Sequence, residues 1–277
     1  ARHKSNSLLQ PARSDSFVAP ECWRPEWAAS SPLFDPIRWL NQHTQLERWP
    51  DQNDFDNLAK LQQQLPGIRF VLPENLPDID EYYETRIHRS GKVPTRANNW
   101  HDFFNAAIWL TFPLTKQALN QRHILGQQHS DSRGRGPLRD AATLLDESGV
   151  VVAYCDETFP QLLQHHQWQQ LFVAQRSQWG SQISAITFGH AIYEKALAPY
   201  IGFTAKAWLQ PVSADFFQLS AQQQMQALDR LLAERLSDPQ QLTQPRDLSA
   251  LPVLGVPGWW PDNVDPAFYD NRDYFRP

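Results

Sequence analysis

The chain has 277 residues, 41% hydrophobic and 12% aromatic, with 30 acidic against 25 Lys and Arg side chains and a formal net charge of −5. Those values describe a globular chain long enough to bury a substantial core, and they exclude the broad positive field on which non-specific nucleic-acid binding depends. No run of about 18 uncharged apolar residues occurs, which excludes an ordinary membrane-spanning helix. Only Cys22 and Cys155 are present, too few for a disulfide framework or a cysteine zinc site. A reducing compartment, and with it a cytoplasmic location, is the expectation.

In chain order, residues 1–20 read as a mobile lead-in, and a Trp- and Pro-rich segment with Trp23, Trp27, Trp39 and Trp49 follows. Phe55, Leu58, Leu61 and Leu65, at three- and four-residue spacing, predict a helix from about Asp54 to Leu65. "GIRFVLP" reads as a strand ended by Pro73. "YYETRIHRSGKVPTR" reads as a strand running into a turn at Ser90 and Gly91. The stretch "NWHDFFNAAIWLTF" predicts a helix capped by Asn99 and ended or kinked at Pro113, with a second helix from about Leu114 to Ile124.

"TLLDESGVVVAYC" predicts a hairpin turning at Asp146-Glu147-Ser148-Gly149. Short helices are expected in "FPQLLQHH", "WQQLFVAQRSQW" and "FGHAIYEKALA", a strand in "TAKAWLQPVS", and an amphipathic helix in "SAQQQMQALDRLLAERL". The closing segment lacks periodicity but carries Trp259, Trp260, Phe268, Tyr269 and Phe275, enough apolar area to favour an extended strap packed on the rest. The expected class is therefore α+β: a predominantly helical single domain over residues 21–250, with a small antiparallel sheet or hairpin, and a C-terminal aromatic strap over 251–277.

The helix after Asn99 is apolar apart from one wedge. At about 100° per residue, Asn105 and Trp109 fall about 40° and about 80° from His101, and Asp102 about 100°. Asp102 stands at the third helical position, where a carboxylate serves the cap. His101 and Asn105 have no capping duty, so they must find buried partners or line a cleft. His190 and Glu194 repeat the four-residue spacing in "FGHAIYEK", which suits a base with its orienting carboxylate or a pair of metal ligands. An exposed pair with no chemical role has the same spacing. The second histidine of a zinc-protease helix is missing there.

Arg86, Arg89, Arg96, Arg133, Arg135 and Arg139 concentrate in two segments. Arg96, just ahead of a helix N-terminus, and Arg139 are the candidates for binding an anion. Asp146 and Glu147 are read as turn residues. No P-loop, dinucleotide fingerprint or G-x-S-x-G elbow is present.

Taken in order, "PTRANNWHDFFNAAIWLTFPLTKQALN", "RGPLRDAATLLDESG", "LFVAQR", "FGHAIYEKALAPY" and "LPVLGVPGWWPDN" resemble a bacterial, mainly proteobacterial, family known only as a domain of unknown function, over roughly residues 68–265. The resemblance implies a single bacterial domain and no reaction, cofactor or catalytic residue. The residues themselves point to a hydrolase or group-transfer enzyme with a cleft formed by His101, Asn105, His190 and Glu194, and with Arg96 and Arg139 orienting an anionic small molecule. The same residues leave open a non-catalytic module for an anionic ligand or nucleic-acid end, or an interaction domain using the aromatic tail. They assign no metal, cofactor or oligomeric state.

Overall fold

Nine of every ten residues along the chain fall in the described part of the computed structural model, which covers 19–44, 47–128 and 136–277. Residues 1–18 of the expected lead-in, and Arg133 and Arg135, lie outside it. Asp51 starts α1 (Gln52–Ala59) through a reciprocal capping box with Asp54. The helix stops at Ala59 rather than Leu65, because the Gln62 side chain bonds both the amide and the carbonyl of Leu65 and folds that segment into a turn. Strand β1 (Arg69–Val71) follows, as expected from "GIRFVLP".

The next segment corrects the sequence reading. Residues expected to be extended form α2 (Tyr83–Ser90), closed by the Gly91 amide on the Ile87 carbonyl. Short β2 (Lys92–Pro94) then pairs parallel to β1. The Ser90-Gly91 pair therefore marks a helix end.

Helix α3 (Trp100–Thr111) is capped by Asn99, whose side chain accepts the Asp102 amide, and nine of its 12 residues are buried. Asn98 reaches the cap with φ of 52°, a conformation that asparagine tolerates better than most residues. Pro113 begins α4 (Pro113–Gln128), which starts at once and runs four residues beyond Ile124.

The expected hairpin is not formed. Pro137 sits in the first turn of α5 (Pro137–Ser148), which buries Ala141, Ala142 and Leu145 and feeds directly into β3 (Gly149–Tyr154). The Asp-Glu-Ser-Gly cluster is a helix C-terminus. After it come α6 (Thr158–Gln164), a π-helical turn (Gln170–Ala174) with a 3₁₀ turn (Arg176–Gln178) in place of one expected helix, β4 (Ile183–Thr187) and α7 (His190–Ala196). The strands and long helix that remain are β5 (Thr204–Pro211), α8 (Ala221–Ser237) and β6 (Ser249–Pro252), after which short 3₁₀ turns carry the strap.

The four-stranded sheet has the order β4-β3-β5-β6. It is mixed: β3 runs parallel to β5, while the β3–β4 and β5–β6 pairs are antiparallel. All six residues of β3 are buried, as expected for a central strand covered on both faces. The α+β class and the helical majority are as the pattern indicates, and the buried apolar residues form one continuous core.

Two charged residues tie α4 to α8. The Asp229 carboxylate accepts the Leu114 and Thr115 amides at the start of α4, satisfying helix-end donors from another helix. In return, buried Arg122 of α4 donates to the carbonyls of Leu236, Asp238, Gln241 and Leu242 at and beyond the end of α8. The strap is equally anchored. Trp259, Tyr269, Tyr274 and Phe275 are buried, Tyr274 Oη bridges the Leu254 amide and the Phe203 carbonyl, and the Trp168 indole donates to the Arg276 carbonyl.

Candidate functional site

A cleft of about 480 Å³ opens between α2, α3, α4, α5 and α7, and His101, Asn105 and His190 line it together with Arg96 and Arg139. Glu194 stands behind His101. The two histidine rings meet nearly perpendicular, with centroids 4.4 Å apart. Their approach follows from the crossing of α7 with the end of α5: the Gly189 amide bonds the Gly149 carbonyl, and a Cβ on Gly189 would fall 2.3 Å from the Glu147 carbonyl oxygen. Only glycine allows that approach, and it sets His190, the next residue, against α3.

His101 Nδ1 lies 2.7 Å from Glu194 Oε2. An ionised carboxylate can only accept, so Nδ1 carries the proton and Nε2 is the nitrogen left free for the cleft. The Glu194 hydrogen bond, opposed by partial burial and helped by the charges of Glu194, Asp102 and Glu147, raises the His101 pKa above its usual 6.5. His190 goes the other way. Burial, only partly offset by Asp146, lowers it to about 3, so it is a neutral imidazole at neutral pH, and its buried Nδ1 has no hydrogen-bond partner.

Asn105 is the centre of a buried polar network rather than a free ligand group. Its amide donates to Tyr83 Oη at 3.0 Å, and its Oδ1 accepts from Lys116 Nζ at 2.7 Å. Lys116 also donates to Asp146 Oδ1 at 2.6 Å. Burial alone would raise the Asp146 carboxyl, but Lys116 holds it down at about 2. Asp146 and Glu147, expected in a turn, thus both line the cleft.

The two arginines differ. Arg96 is clamped by Asp102, whose carboxylate accepts its amide, Nε and Nη2 at 2.8 to 3.0 Å. Arg139 has a buried Nε without a partner. Its stem crosses α4 at Gly126, where an added Cβ would fall 2.2 Å from Arg139 Cγ. Arg86 and Arg89 pair with Glu81 outside the cleft.

Glu84, Lys116, Asn120 and His123 were not singled out by the sequence reading. One signal was available: Lys116, Asn120, His123 and Gln127 follow the spacing of one helix face, a polar stripe on a helix whose remaining buried positions pack against α2, α5 and α8.

The His101–Glu194 pair makes a pH signature. The folded pKa lies above the unfolded one, so between about 6.5 and the raised value the folded chain binds more protons. Stability from this pair is complete below that window and declines as pH rises through it. Ring NMR should place the His101 midpoint above 6.5. Glu194→Gln should lower that midpoint and flatten the alkaline decline in melting temperature, and an unchanged midpoint would contradict the pairing.

The family described as a protein of unknown function, DUF3025, matches residues 68–277, and the chain belongs to it. The match takes in the cleft and the whole strap. No curated protein and no solved structure matches the chain. Among the described residues no helix is long and apolar enough to cross a membrane.

Proposed function

We propose that the cleft is the active site of a hydrolase or group-transfer enzyme acting on an anionic substrate, with His101 as general base, oriented and made more basic by Glu194. The carrying observation is the 2.7 Å bond between His101 Nδ1 and Glu194 on the wall of a cleft that can enclose a small molecule. His101 Nε2 takes the proton of a water or hydroxyl nucleophile as it attacks, and Glu194 stabilises the imidazolium that forms. Arg139, with an unmatched donor, holds the anionic group. Arg96 contributes less because Asp102 already engages it.

A panel of 4-nitrophenyl phosphate, bis(4-nitrophenyl) phosphate and acidic carboxylate esters tests this reading. Turnover of at least one is expected, with His101→Gln lowering kcat by about 10²- to 10⁴-fold and Arg139→Ala mainly raising KM. Parental turnover in His101→Gln removes the base. An inert panel, with retention on a phosphate matrix that Arg139→Ala abolishes, replaces the enzyme with a binding module for anions.

A further inference from the structure

The cleft wall carries four carboxylates, Glu84, Asp102, Asp146 and Glu147, against two guanidiniums, Arg96 and Arg139. Asp102 is neutralised by Arg96 and Asp146 is shared with Lys116. Glu84 has no cation in hydrogen-bond contact among the described residues. An anion entering this cleft would therefore meet a wall that is not positive.

One corner of that wall has the makings of a cation site. Glu84 on α2, His123 on α4 and Asp146 on α5 each present a ligand atom, all within 4.8 Å of one another. His123 Nε2 is 3.9 Å from Glu84 Oε1, too far for a hydrogen bond and close enough for a shared ion. The other oxygens are held in place from behind. Asn120 donates to Glu84 Oε2 at 2.6 Å, and Lys116 donates to Asp146 Oδ1, which leaves one oxygen of each carboxylate uncommitted. Such outer contacts fix ligand orientation in metal sites.

One further observation falls at this corner and a second in the cleft beside it. A chamber of about 10 Å³, lined by Glu84, Lys116, His123 and Asp146, has room for roughly one water-sized occupant. His190, 6% exposed, lines the adjoining cleft with its Nδ1 unpartnered.

We infer that Glu84, His123 and Asp146 bind a divalent transition-metal cation. Two carboxylates and an imidazole suit manganese, iron(II) or zinc, and three protein ligands leave coordination positions open to the cleft. The ion supplies the positive charge that the lining lacks and gives an anionic group a second attachment opposite Arg139. The inference does not need the His101–Glu194 reading, since the ion binds whether or not that dyad turns over a substrate.

Titration of the full-length, chelator-treated protein with Mn²⁺, followed by calorimetry and electron paramagnetic resonance, is expected to show one specific equivalent. Glu84→Gln and His123→Gln should each weaken it at least tenfold, the order seen when a metal site loses a supporting group, while His43→Gln and His101→Gln leave it intact. No specific equivalent in the parent, or equal binding in Glu84→Gln and His123→Gln, overturns the site. If those variants fail to fold, paramagnetic broadening in the parent decides: loss of the His123 ring signal before that of exposed His43 supports the site, and the reverse order overturns it. Metal binding in a protein inert on the ester panel would leave this site standing while the catalytic reading falls.

Discussion

Replacing Lys116 by Met is expected to lower stability by about 3–5 kcal/mol, the usual cost of leaving one partner of a buried ion pair uncompensated. Lys116 is 4% exposed. Its ammonium joins Asn105 Oδ1 to Asp146 Oδ1 and lies 5.4 Å from the Trp109 ring centroid. Removing it strands a carboxylate that is 16% exposed on the cleft wall and a buried amide oxygen at once. For a chain of this size a fall in Tm on the order of 10 °C corresponds to that loss. Adding Asp146→Asn to Lys116→Met should recover part of it, because the stranded charge is then gone. A loss below about 1 kcal/mol, of the size found for exposed pairs, would show that the network is solvated rather than sealed.

Replacing Arg122 by Met should cost about 3–4 kcal/mol, since hydrogen bonds from a charged donor contribute about 1.5–3 kcal/mol each and do not add fully. The guanidinium is 4% exposed and satisfies carbonyls on both sides of the chain reversal after α8. Among the described residues, no other single side chain holds α4, the end of α8 and the segment leading to β6 together in this way. Arg122→Lys should restore little, because an ammonium cannot reproduce the planar fork. Urea midpoints give the magnitude. Hydrogen exchange should show faster amides over residues 236–248 in the Met variant, and parental behaviour of Arg122→Lys would show that charge alone suffices.

The elements legible in the sequence are those in which local chemistry and periodicity agree. Asn99 with Asp102 marks the start of α3, Ser220 with Gln223 marks the start of α8 through a capping box, and the "TAKAWLQP" alternation becomes β5. The failures came from residues with two local meanings. Gly91 and Gly149 follow helices, but glycine after small polar residues also reads as a turn, and the choice was made by tertiary burial of Ile87 and Leu145. Those two errors also hid part of the cleft. The local pattern puts Glu84 on a strand and Asp146 in a turn, and neither position faces α4.

His101 is legible because a polar side chain on an otherwise apolar helix must be satisfied somewhere, and His190 and Glu194 are legible from their four-residue spacing. That argument gives no pairing. The bond between His101 and Glu194 spans 93 residues, and it depends on the α5–α7 crossing at Gly189, which no local pattern encodes. Asn105 looked like a member of the reacting group and is instead held by Tyr83 and Lys116, as a buried amide requires.

The contact between Gly126 and the Arg139 stem carries a consequence for the rest of the family. A single methyl group at position 126 would push the guanidinium off the cleft wall while leaving every other polar residue there untouched. Side-chain volume at these two positions is therefore linked: relatives with anything larger than glycine at 126 should carry a shorter residue at 139.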